Sequence, residues 1–239
     1  MMKPIAVAVG ETVAFLAVHL PPSAEVLEVG CGEGDVALEL QARGHHVSGL
    51  DSDQEVVARA RRRGAPVVHA TWPEFEGGPF DAVAFTRSLH HIGPLDRAVV
   101  KAREALRPHG TLLVEDFAFD EADEATIAWF VGVLRRPATR ALIDPSQSEF
   151  ISELVASDDS AEVWHRHHNH ELHNVPTMMR SITKHFNIRE SLSVPYLYRY
   201  LVPILPDTPE AAALVRGIFE DETQHAGALI GRRVVGSLR

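Results

Sequence analysis

Glycines and carboxylates crowd one short stretch of the chain. Glu28-Val29-Gly30-Cys31-Gly32-Glu33-Gly34 sets glycines at alternate positions straight after an apolar run, and Gly49-Leu50-Asp51 closes a second run. Glycine lets the chain turn tightly and lets a ligand reach the backbone with no side chain between them. A dinucleotide-binding loop spaces its glycines Gly-x-Gly-x-x-Gly, the last at a helix start that receives a pyrophosphate. Here the third glycine comes one residue early, Asp35 holds the expected slot, and Glu28 and Glu33 add negative charge. Such a loop suits a ligand without phosphates, and a cationic one best. Asp51 is placed to accept both hydroxyls of a ribose; its structural alternative is a carboxylate capping the helix that follows.

Histidines form the second group. His90 and His91 follow a fourth apolar run, and His91 is the first candidate for a base that takes a proton from an acceptor. Trp164-His165-Arg166-His167-His168-Asn169-His170-Glu171-Leu172-His173 invites a metal reading. Its His170-Glu171-Leu172-His173 is one residue short of the zinc-peptidase spacing, although His167 and His170 share a helix face. No metal is expected; the segment reads as a solvated face, or as a polar wall beside a substrate. Cys31 reads as a small loop residue, since nothing in the sequence supplies it a base. Phe186, Tyr196, Tyr198 and Tyr200 read as core before they read as an aromatic pocket.

The elements that must position these groups alternate. Strands are expected at Glu25–Val29, Val47–Leu50, Pro66–Ala70, Phe80–Phe85 and Thr111–Glu115, with helices between them. Ser52-Asp53-Gln54-Glu55 reads as a capping box, and Leu95, Val99, Ala102 and Leu106 recur at helical spacing. That alternation predicts an α/β fold with a doubly wound, mostly parallel sheet. From Phe119 to His185 the pattern is helical, with Ser146-Gln147-Ser148-Glu149 as another capping box. Ile188–Val194 and Leu229–Val235 read as strands, and Thr208-Pro209 as a helix start. One domain over residues 1–239 is expected, with 119–185 a helical insertion or lid.

Length and charge bound the rest. The 239 residues carry a formal charge of −10, with 45% hydrophobic and 23% charged side chains, enough for a real core. A nucleic-acid-binding face would run against that net field, so none is expected. One cysteine excludes an internal disulfide. The longest apolar stretch, Ile5–Leu20, is broken by Gly10, Glu11 and His19 and reads as an amphipathic first helix. A soluble, cytoplasmic protein without membrane contact is expected.

Five segments in order resemble the class I S-adenosylmethionine-dependent methyltransferases: Glu28–Gly34, Gly49-Leu50-Asp51, Phe80-Asp81-Ala82-Val83, Leu89-His90-His91-Ile92, and Leu106–Val114 with its Pro108-His109-Gly110 turn. The resemblance covers roughly residues 20 to 117. It implies a Rossmann-like sheet of seven strands, with S-adenosylmethionine as cofactor. Gly30 and Gly32 would pass close to its methionine part beside Glu28, and Asp51 would hold the ribose. Many members place an acidic residue after the third strand, near the adenine amino group. This chain has His69-Ala70-Thr71-Trp72 there, so backbone groups around Ala70 and Thr71 become the adenine candidates, with Trp72 or Ser52 nearby. The expected activity is methyl transfer to a small-molecule acceptor. The rival is a domain that holds the cofactor without chemistry, as a sensor or assembly subunit.

Overall fold

A computed structural model describes residues 2–169 and 172–239, so His170 and Glu171 of the histidine-rich segment lie outside the described residues. Helix α1 spans Pro4–Ala17, and the first strand-helix pairs follow: β1 Glu25–Val29, α2 Asp35–Ala42, β2 His46–Asp51, α3 Gln54–Arg62, β3 Val67–His69, β4 Phe80–Thr86, α4 Leu95–Ala105 and β5 Leu106–Phe117. Next come helices α5 Glu124–Arg135, α6 Pro137–Arg140, α7 Glu149–Ala156, α8 Ser160–His168 and α9 Val175–His185. The chain ends with β6 Phe186–Val194, α10 Pro209–Gln224 and β7 Gly231–Leu238.

The strands make one seven-stranded sheet in the order β3-β2-β1-β4-β5-β7-β6. β1 pairs in parallel with β2 on one side and β4 on the other, with Glu28 opposite Gly49 and Ala84. β2 pairs with β3, and β4 with β5, also in parallel. The mostly parallel, doubly wound architecture expected from the alternation is therefore present. Parallel strands are covered on both faces, which explains why β1 and β4 are apolar nearly throughout: Val26, Leu27, Val29, Ala82, Val83, Ala84 and Phe85 are all buried. The order reverses between β1 and β4, and such a reversal opens a crevice at the carboxyl ends of the strands.

Several boundaries and caps differ from the expectation, and the last strand runs Gly231–Leu238 in place of Leu229–Val235. β5 begins at Leu106, so the Pro108-His109-Gly110 turn falls within its span; the register jumps from Phe80↔Leu106 to Ala82↔Thr111, and this irregularity absorbs the turn. Asp53 caps α3 in place of Ser52, its carboxylate accepting from the amides of both Glu55 and Val56. Ser148 caps α7, whereas Ser146 sits in a short turn governed by Asp144. Thr208 caps α10 with Pro209 in its first turn, as expected.

Packing divides the described residues into two compact units. One consists of Glu11–Asp116, His173–Leu192 and Arg232–Arg239, and contains most of the sheet. The other draws on Met1–Gly10, Phe117–Leu172 and Ser193–Gly231. The expected insertion 119–185 thus has different limits: α9 packs on α4 and goes with the sheet, while 193–231 joins the helices. The physical reason is a shared core in the helical unit, where Phe130, Trp164, Tyr198, Leu201, Val215 and Ile218 are buried together. Glu222 is fully buried there, and its carboxylate accepts from the amides of Tyr196, Leu197 (2.8 Å) and Tyr198 (3.0 Å), capping the 3₁₀ stretch Leu197–Ile204. Among the described residues no helix is long and apolar enough to cross a membrane.

Candidate functional site

The glycine loop is fastened to β2 by its backbone. The amides of Gly30 and Cys31 both donate to the Leu50 carbonyl, at 2.8 and 3.0 Å. The Gly32 amide donates to Asp51 Oδ2 at 2.9 Å, and Asp51 Oδ1 accepts from the Asp53 amide at 3.0 Å. Asp51 is therefore both an anchor for the loop and a carboxylate at the tip of β2. Gly30 lies at φ 70°, and a Cβ there would stand 2.4 Å from Ser88 Cβ, so only glycine fits. Gly34 fills a different need: it is the left-handed N-cap of α2, pressed against Ala65. That close approach to the segment leading into β3 accounts for the early third glycine. Gly32, at φ 57°, would present a Cβ to open space.

A cavity of about 430 Å³ opens beside this loop. From the tips of the first three strands it is lined by Gly30, Asp51, Ser52, Ala70, Thr71 and Trp72. From the segment after β4 it is lined by Arg87, Ser88, His91, Ile92 and Gly93. The structure thus brings together Gly30, Asp51, Ser52, Ala70, Thr71 and His91 from the sequence candidates. Gly32 and Glu28 stand outside the lining. Trp72 is fixed by its indole N–H, which donates to the Ala98 carbonyl at 3.1 Å, and by an edge-on contact with Phe85. The His69 ring lies 3.1 Å from the Ser52 carbonyl, tying the β3 end to the β2 end.

Glu28 is buried one strand deep in β1. Thr86 Oγ1 donates to its Oε1 at 2.6 Å, while Oε2 has no partner among the described residues. Burial pushes its pKa from the ordinary 4.5 to about 7, against the pull of the Thr86 hydroxyl and the Arg87 charge. Glu33 and Asp35 do not charge the cavity: Glu33 pairs with Arg59 and Arg63, and Asp35 pairs with Arg63. The acid-rich look of the loop therefore overstates its field, because α3 and the residue after it supply matching arginines. Burial pushes the Cys31 thiol well up, as expected for a packing residue with no activating base.

The histidines divide by role. His91 faces the cavity, and its neighbour His90 is buried, with Nδ1 2.6 Å from Asp116 Oδ1 and ring centroids 4.0 Å from His91. The His173 amide donates to the His90 carbonyl at 2.9 Å, and its ring lies 3.1 Å from the Ile92 carbonyl. His173 thereby braces the segment that carries His91, a role that spacing alone does not suggest. In the helical unit, His167 pairs with Glu153. His168 stacks on Phe119 and bonds through its ring to the Trp164 carbonyl and the Tyr200 hydroxyl. Among the described residues no three His, Cys, Asp or Glu side chains group to hold a metal.

Sequence reasoning missed Arg87. It stands at the end of β4 between Thr86 and Ser88, and no spacing rule marks it. Its only sequence signal is a cation at a strand end next to the histidine pair.

A family described as a methyltransferase domain matches residues 5–176. An uncharacterized methyltransferase of Mycobacterium tuberculosis is 38% identical over 98 residues, covering 38% of this chain and 50% of the relative. A trans-aconitate 2-methyltransferase of Sinorhizobium medicae is 30% identical over 173 residues, 64% of each chain. The chain thus spans about half to two thirds of the length of these curated relatives. The crystal structure of an S-adenosylmethionine-dependent methyltransferase from Mesorhizobium loti shares the fold, with a TM-score of 0.56 at 15% identity over 94% of this chain and 96% of that one. With a family match across most of its length and the expected sheet and glycine loop in place, the chain belongs to the class I S-adenosylmethionine-dependent methyltransferases.

Proposed function

We propose that the protein transfers a methyl group from S-adenosylmethionine to a small-molecule acceptor. The observation that carries this reading is the Gly30–Gly34 loop fastened through Gly32 to Asp51 at the point where the strand order reverses. The residues fit the cofactor in three respects. Gly32 opens onto free space that a side chain would fill. Asp51 offers a carboxylate at the strand tip. Glu28 keeps one buried oxygen without a partner beneath the loop.

In this reading Asp51 accepts the ribose hydroxyls, and Ser52, Ala70 and Thr71 border the adenine. Gly30, Gly32 and Glu28 attend the methionine part. Bound S-adenosylmethionine supplies a methyl group on a sulfonium cation, ready for in-line displacement. The protein's contribution is then positioning more than acid–base power. His91 takes the acceptor's proton where the acceptor is a phenol, an alcohol or a protonated amine. A small acceptor is supported by the name of the Sinorhizobium relative and by the formal charge of −10, which disfavours nucleic acid.

The test is calorimetric titration with S-adenosylhomocysteine, followed by its production from S-adenosylmethionine over a library of small acceptors. Binding with turnover supports the reading. Binding without turnover on any acceptor leaves a cofactor-holding domain, and absence of binding sinks both.

A further inference from the structure

The residue just after β4 has an unusual backbone and a charge only partly used. Arg87 adopts φ 63°, the left-handed region that side-chain-bearing residues seldom enter. Its amide donates to the Glu115 carbonyl at 2.6 Å, holding that turn on β5. Its Nη1 donates to Thr12 Oγ1 at 3.2 Å and to Glu115 Oε1 at 3.1 Å. Thr12 donates to the same carboxylate oxygen at 2.6 Å. Glu115 is 1% exposed, and its other oxygen accepts from Arg233 Nε at 2.8 Å. Arg233 is itself pinned by the Glu11 carbonyl and lies over the Phe15 ring.

One buried carboxylate is therefore shared between two guanidiniums. Arg233 faces the strand and α1, whereas Arg87 lines the cavity with its side chain 29% exposed. Its Nε and Nη2 make no hydrogen bond among the described residues. A guanidinium held by one nitrogen, on a residue that lines a crevice, is preorganised for a planar anion.

We propose that Arg87 anchors a carboxylate of the methyl acceptor, so that the site selects small carboxylic acids. This inference rests on the methyl-transfer reading, which assigns the tips of β1, β2 and β3 to the cofactor and leaves Arg87, Ser88 and His91 for the acceptor. Electrostatics favours the same class. A cationic cofactor and a guanidinium repel each other across the crevice, and an anionic acceptor is attracted to both. The inherited strain at Arg87 is then the means of aiming its side chain into the cavity.

The test titrates the full chain, with and without saturating S-adenosylhomocysteine, with acetate, succinate, benzoate and trans-aconitate, and with the fully esterified, uncharged methyl ester of each. At least one acid should bind the wild type about tenfold or more tightly than its ester. Arg87→Gln should abolish that preference and leave the dissociation constant of S-adenosylhomocysteine unchanged, and Arg87→Lys should retain part of it. The acid–ester comparison requires no variant, so it stands even where Arg87→Gln fails to fold. No preference for any acid over its ester overturns the inference. So does a loss in Arg87→Gln of affinity for S-adenosylhomocysteine but not for its decarboxylated analogue, which would assign the guanidinium to the cofactor's own carboxylate. Wild-type protein that binds acids but not S-adenosylhomocysteine would defeat the methyl-transfer reading separately.

Discussion

The Gly32 amide donates to the Asp51 carboxylate across 2.9 Å, joining the first glycine-rich turn to the tip of the neighbouring strand. One side chain thus shapes the loop and offers its remaining lone pairs to a ligand. Asp51→Ala should raise the dissociation constant of S-adenosylhomocysteine about tenfold or more, since charge-assisted bonds are worth roughly 1.5–3 kcal/mol each. Asp51→Asn keeps an oxygen for Gly32 and should lose less. Calorimetry on folded variants checks both; equal affinity in Asp51→Ala and wild type would remove Asp51 from the ribose.

Two glycines two residues apart should fail differently. A methyl group at Gly30 meets Ser88 at 2.4 Å in a left-handed backbone, so Gly30→Ala should cost about 2–4 kcal/mol of stability. Gly32→Ala has only the backbone penalty, about 1–2 kcal/mol. It should fold, yet lose most of the thermal stabilisation that S-adenosylhomocysteine gives the wild type. Chemical denaturation and paired melts separate the two effects.

Glu28 makes stability depend on pH. The folded chain keeps this proton to about pH 7, whereas the unfolded chain releases it near 4.5. The folded state thus binds more protons between those values. The contribution is fully present below about pH 4.5 and is lost as pH rises through 7. Glu28→Gln keeps an acceptor for Thr86 and removes the titration. Relative to wild type it should gain on the order of 3 kcal/mol between pH 4 and pH 8, read from urea midpoints at each pH. Parallel pH curves for the two proteins would show that Glu28 titrates normally.

His91 and His173 should separate chemistry from support. With an acceptor that must lose a proton, His91→Ala should lower kcat about a hundredfold while cofactor affinity stays put. His173→Ala removes the ring contact with the Ile92 carbonyl and should lower kcat less, together with the melting temperature. Unchanged kcat in His91→Ala would take the base role away from it.

Much of this site was legible because parallel sheets write their pattern plainly. Buried strands read as apolar runs, and Gly30 and Asp51 stand at the ends of β1 and β2 where such folds hold ligands. What escaped depended on partners distant in the chain. The charge of Glu33 and Asp35 is cancelled by Arg59 on α3 and Arg63 just after it. Arg87 acquires its meaning only from Glu115, Thr12 and Arg233. Neither His168, folded into an aromatic cluster, nor His173, bracing the backbone after β4, could be told from a solvated histidine by spacing. The limits of the helical unit were hidden for the same reason, since Phe130 and Ile218 share a core that only tertiary packing reveals.

The threading of the chain has a consequence for how such a protein can be altered. The helical unit is assembled from an N-terminal stretch, a central stretch and a late one, and the sheet receives its last strand only at Gly231–Leu238. Neither unit can be excised or grafted as a single continuous cassette. Either unit is thus open to change by point substitution and closed to exchange of one contiguous segment.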